Sequence, residues 1–95
     1  MIEILMLILP MLLEFLPMII NKPGEDGTKA FLRRMARYEK LASDPQATVI
    51  ERFAFGEMAE LCACCAAADE AGRQRIAGAV EGTIGRMQAA VAKGA

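Results

Sequence analysis

The sequence predicts an all-α protein with an apolar N-terminal helix, a short basic amphipathic helix and then an α-helical hairpin. One observation is an apolar run over residues 2–20, in which the exceptions are Glu3, Pro10, Glu14 and Pro17. A second is the recurrence of apolar residues at spacings of three and four in the rest of the chain, which is typical of amphipathic helices. A third is the set of turn-forming residues that separates these segments.

The apolar run has the length of one membrane crossing. A helix over residues 2–20 rises about 28 Å at about 1.5 Å per residue, close to the hydrocarbon thickness of a bilayer. A secretory signal peptide is not expected, because the run has no basic residue before it and no small-x-small cleavage site after it. We therefore predict a transmembrane helix over residues 1–21.

The polar residues of this helix fall on one stripe. Glu3 and Glu14 are eleven residues apart and therefore point in nearly the same direction, with Pro10 and Pro17 beside them. In a crossing helix the stripe would face a partner helix or a water-filled lumen. In an interfacial helix, or in a soluble oligomer, it would face solvent. We expect the first arrangement, with the stripe as the contact of a homo-oligomer.

A linker is predicted over residues 22–27, because Pro23-Gly24 is a turn dipeptide and Gly27 follows it. The next helix, at about 28–42, carries basic residues at Lys29, Arg33, Arg34, Arg37 and Lys40. Such a helix suits an anionic lipid leaflet, and the positive-inside rule then places residues 28–95 on the cytoplasmic side. The alternative is a solvated basic face that packs on the acidic helix after it. Nucleic acid is not expected as a partner, because the basic run is short.

The hairpin is predicted from two helices, at about 45–71 and 73–92, which with the basic helix form a small helical domain over 28–95. Asp44 followed by Pro45 is a good start signal, and Gly72 is expected as a left-handed cap between the two helices. One uninterrupted helix through Gly72 is the alternative. The two helices are expected to face each other along apolar residues at Ile50, Met58, Leu61, Cys65, Ile76, Val80, Ile84 and Met87.

A stripe of small residues at Gly78, Gly82 and Gly85 predicts the close approach of another helix, since glycine otherwise costs a helix roughly 1 kcal/mol relative to alanine. The alternative is a weakly stable C-terminal helix.

Composition excludes much of enzyme chemistry. The chain has 95 residues and no histidine, the commonest general base and metal ligand. Cys62, Cys64 and Cys65 lie within four residues, and no second pair of ligands completes a zinc site. We read them as reduced, with Cys62 and Cys65 on one helix face. No catalytic residue, cofactor or metal ligand is predicted.

The sequence thus predicts a non-enzymatic, single-span membrane protein that acts through homo-oligomerisation or as an assembly subunit of a membrane complex. The alternative is a structural subunit of a larger particle, such as a virion, in which the apolar helix is buried against other protein chains. A third hypothesis is an ion-conducting oligomer that uses Glu14, because ionisable side chains inside a membrane are usually functional.

Overall fold

The computed structural model describes residues 2–21 and 24–94, and these residues form four helices and no strand. The helices are α1 (Ile2–Asn21), α2 (Gly24–Ala42), α3 (Val49–Ala67) and α4 (Glu70–Ala92). The prediction of an all-α fold, with an apolar first helix followed by a helical hairpin, is confirmed.

The helix α1 continues through both of its prolines. Its buried residues are Ile8, Leu12, Phe15 and Ile19, at spacings of four, three and four. Pro10 and Pro17 are exposed, so each ring lies away from the core. Because the buried face is regular from one end to the other, α1 packs as one element despite two interior prolines.

The helices pair differently from the predicted hairpin seam. The most extensive packing joins α2 to α3, whereas α1 packs mainly on α4 and less on α3. Direct contact between α3 and α4 is slight. The prediction that these two face each other along a closed seam is therefore wrong: their apolar faces are used against α2 and α1 instead.

The molecule is flat, with Cα extents of 39 × 33 × 14 Å. The smallest extent is that of two helix layers, since packed helix axes lie about 8–10 Å apart. Phe15 of α1 and Phe31 of α2 are buried, and their rings pack edge to face with centroids 5.7 Å apart. Tyr38 and Phe55 stack at 6.3 Å in the α2–α3 contact.

The predicted linker over 22–27 is shorter in the structure. Gly24 already belongs to α2, which therefore begins four residues before the predicted start at residue 28. Lys22 and Pro23 lie outside the described residues. The local turn signals therefore placed the start of the second helix too late.

The predicted start of the third helix at residue 45 is wrong, and α3 begins at Val49. Thr48 is its N-cap: the Thr48 hydroxyl accepts from the Glu51 N–H at 3.1 Å, and Glu51 Oε1 accepts from the Thr48 N–H at 2.8 Å. Asp44 instead accepts from the N–H of Gln46 at 2.9 Å, within the loop. A reciprocal capping box satisfies two backbone N–H donors at the helix start, and Asp44 followed by Pro45 offers no such reciprocal pair.

The junction of α3 and α4 corrects the predicted boundary at 71–73. The helix α3 ends at Ala67, and Asp69 caps α4, its carboxylate accepting from the Gly72 N–H at 2.7 Å. Gly72 lies in the first turn of α4 and has no positive φ. Acidic residues are favourable at a helix N-terminus, so the Asp69-Glu70 pair opens α4 and does not close α3.

Candidate assembly surfaces

The predicted oligomer stripe lies on the outward face of α1. Glu3, Pro10, Glu14 and Pro17 are all exposed, opposite the side that packs on α3 and α4. The Glu14 carboxylate lies 3.8 Å from the guanidinium of Arg34 on α2. This exposed, solvent-screened pair contributes little to stability. The stripe is open to a partner, and its role in assembly or in ion conduction stays a prediction.

An apolar strip runs beside this stripe. Met6, Leu13 and Ile20 are 60%, 46% and 44% exposed, and they recur every seven residues. The seven-residue spacing of these three apolar residues is visible in the sequence. Among the described helices, α1 has the length and apolar composition needed to cross a membrane, with a mean hydropathy of 2.2 over Glu3–Asn21.

The predicted headgroup contact forms a basic groove between α1 and α2. Arg33, Arg34 and Arg37 line a cavity of about 460 Å³, together with Met18 of α1 and Ala30. Lys29 and Lys40 are exposed on the same helix, α2. Three guanidinium groups beside a methionine would favour an anionic group attached to an apolar chain, because arginine matches phosphate and carboxylate geometry.

A second groove separates α3 from α4. It has a volume of about 420 Å³ and is almost entirely apolar, with Ile8 and Leu12 of α1 at its base. The wall on α3 includes Phe53, Met58 and Leu61, and the wall on α4 includes Ile76, Val80 and Met87. Because α3 and α4 contact each other little, several residues predicted to pack along the hairpin seam line this groove.

The predicted packing residues have divided roles. Met58, Cys65, Val80 and Ile84 are buried, whereas the others with large side chains, Ile50, Leu61, Ile76 and Met87, are half-buried. The small-residue stripe meets no helix within this chain. Beyond the local backbone of α4, a Cβ at Gly78 or Gly85 would meet nothing within 4 Å, and one at Gly82 would meet the Arg86 side chain. The expected close approach therefore does not occur inside the described fold, and a contact with another chain is untested.

Arg73 of α4 is not among the residues predicted from the sequence. It is 4% exposed, and its Nε donates to the Cys65 carbonyl at 2.8 Å. Its Nη2 donates to the Thr28 hydroxyl, and its guanidinium lies 5.2 Å from the ring centroid of Phe31. From the start of α4, this one side chain thus contacts the end of α3 and the first part of α2. No local pattern marks it, because its partners are up to 45 residues away.

The three cysteines are free, and their predicted division between two helix faces is confirmed. Cys62 and Cys65 are fully buried, whereas Cys64 is exposed. Burial raises the pKa of Cys62 to about 12 and that of Cys65 to about 11. Both buried thiols stay protonated at neutral pH and pack as small apolar groups. No group of three or more histidine, cysteine or acidic residues that could hold a metal occurs in 2–21 or 24–94.

Comparison with known proteins gives no match to a family model, to a curated protein or to a solved structure.

Proposed function

We propose that this chain is a non-enzymatic membrane protein that acts by assembly, with α1 as the segment that enters the bilayer. The observation that carries the proposal is the outward face of α1. Met6, Leu13 and Ile20 are exposed on this face, and only 17% of the window Glu3–Asn21 is fully buried within the fold. Contiguous exposed apolar surface of this kind is typical of membrane or protein contacts.

The basic groove supports the membrane assignment. Arg33, Arg34 and Arg37 lie beside α1, so an apolar segment and a cationic cluster meet on neighbouring helices. Basic residues next to a membrane segment bind anionic lipids with about 1 kcal/mol each. In this proposal α1 crosses the bilayer, residues 28–95 are cytoplasmic, and the arginines contact lipid headgroups.

A second candidate is a structural subunit of a larger particle, and the packing of α1 favours it. Phe15 and Ile19 are 1% and 2% exposed within the folded chain. A crossing helix would have to exchange these contacts for lipid, whereas a particle subunit would keep them. The strip of Met6, Leu13 and Ile20 would then contact another protein chain.

Vesicle flotation tests the proposal. The full chain should float with vesicles of phosphatidylcholine and phosphatidylserine and should resist extraction with alkaline carbonate. Leu13→Glu should abolish binding, because a charge in the bilayer core is costly. Leu32→Glu is the matched control, since Leu32 on α2 is similarly exposed. Arg33→Glu combined with Arg37→Glu should remove the dependence on phosphatidylserine.

The outcomes separate the candidates. Release by carbonate after flotation would show surface attachment and exclude the crossing helix. Failure to float, with recovery as a discrete oligomer in plain buffer, would favour the particle subunit. Equal binding by Leu13→Glu and the wild-type chain would exclude α1 as the membrane segment.

A further inference from the structure

We propose that the groove between α3 and α4 is the interface of a two-fold symmetric dimer, occupied by a second copy of this chain. This inference goes beyond the proposed function and concerns the fold described above, in which α1 stays packed on α3 and α4. It concerns the face away from α1, because Ile8 and Leu12 form the base of the groove while α3 and α4 form its walls.

The groove resembles the gap that is left when one helix is missing from a helix bundle. Near the junction it is lined by Leu61 and Ile76, and farther along by Met58 and Val80. The two helices therefore run antiparallel along the groove, yet they contact each other little. Apolar walls that hardly touch each other need side chains from another molecule to exclude water between them.

Phe53 supplies a side chain that fits such a space. It lies at the far end of the α3 wall and is 54% exposed, the highest exposure of a large aromatic residue in the described chain. A two-fold contact requires a surface that complements itself. An exposed phenylalanine and an apolar groove on one face satisfy this requirement, because each copy can insert Phe53 beside the α4 wall of the other.

The charges on the two rims of the groove favour a second copy of this chain as the partner and determine its orientation. Glu57 lines the α3 side of the groove, and Glu60 lies seven residues after Phe53 and hence on the same helix face. On the α4 side, Arg86 donates to the groove-lining Thr83 at 3.1 Å, and Arg75 is eleven residues earlier on that face. One rim is thus acidic and the other basic.

A two-fold axis parallel to the groove places each acidic α3 rim over the basic α4 rim of the other copy. An axis across the groove would place like charges together, which opposes association. In the favoured orientation, Glu60 comes level with Arg75 of the second copy, since both lie about two turns or less from the α3–α4 junction.

Sedimentation of the full chain in plain buffer, where α1 stays packed on α3 and α4, tests the proposal. The wild-type chain should be a dimer, and Phe53→Asp should weaken dimerisation at least about 100-fold. Leu32→Asp is the control, because Leu32 on α2 is 45% exposed and does not line the groove. A wild-type monomer at all concentrations, or a dimer unaffected by Phe53→Asp, would overturn the interface.

Charge reversal tests the orientation. Glu60→Arg and Arg75→Glu should each weaken the dimer about 10-fold, and the double variant should regain most of the affinity. Two single losses without rescue would overturn the orientation parallel to the groove. Vesicle flotation by Phe53→Asp separates the two proposals: retained binding with a lost dimer leaves the membrane function intact, and a retained dimer without any vesicle binding removes that function alone.

Discussion

Arg73 offers the sharpest test of what holds the four helices together. Replacing it with alanine removes the donor to the Cys65 carbonyl, the donor to the Thr28 hydroxyl and the cation over Phe31. A hydrogen bond from a charged group contributes about 1.5–3 kcal/mol, and a desolvated cation–π contact about 2 kcal/mol. Because such terms are not additive, we expect Arg73→Ala to lower the free energy of unfolding by about 3 kcal/mol.

Urea unfolding followed by circular dichroism measures this loss. With a slope of about 1–1.5 kcal/mol per molar urea, the midpoint should fall by about 2–3 M while the slope stays constant. Arg73→Lys should recover part of the loss, since lysine keeps the charge but lacks the planar fork of donors. Arg37→Ala removes an exposed arginine and should change stability by less than about 0.5 kcal/mol. An Arg73→Ala midpoint equal to that of Arg37→Ala would refute the role assigned to Arg73.

Three further predictions follow from the local structure. Thr48→Ala should lower the free energy of unfolding in urea by about 1 kcal/mol, because it removes the capping box of α3, and Asp44→Ala should lower it by less. A larger loss for Asp44→Ala would instead support a helix start at residue 45. At neutral pH, maleimide should label the folded chain once, at Cys64, and three times after unfolding, because burial protects the other two thiols and raises their pKa; mass spectrometry counts the labels. Gly78→Ala with Gly85→Ala should stabilise the isolated chain by about 1–2 kcal/mol, as no atom beyond the local backbone of α4 lies near either Cβ; destabilisation would show that another helix approaches them.

Local sequence features predicted the helices well wherever a helix depends mainly on its own residues. The apolar period of α1 determined its length and its continuity, because two prolines cost less than the burial of a regular apolar face. The division of Cys62 and Cys65 from Cys64 followed from helical geometry alone. The capping box at Thr48 and Glu51 was also readable, but the strong start signal at Asp44-Pro45 drew the boundary four residues too early.

The sequence by itself determined that the chain forms apolar and amphipathic helices, and which residues of each helix are apolar. Only the tertiary structure decided which helices pack together: α2 on α3 and α1 on α4, with an open groove where a closed hairpin seam was expected. The physical reason is that apolar burial is not directional, so several pairings of amphipathic helices bury similar area. Shape and long-range polar contacts select among them, and Arg73, which joins three helices, is such a contact.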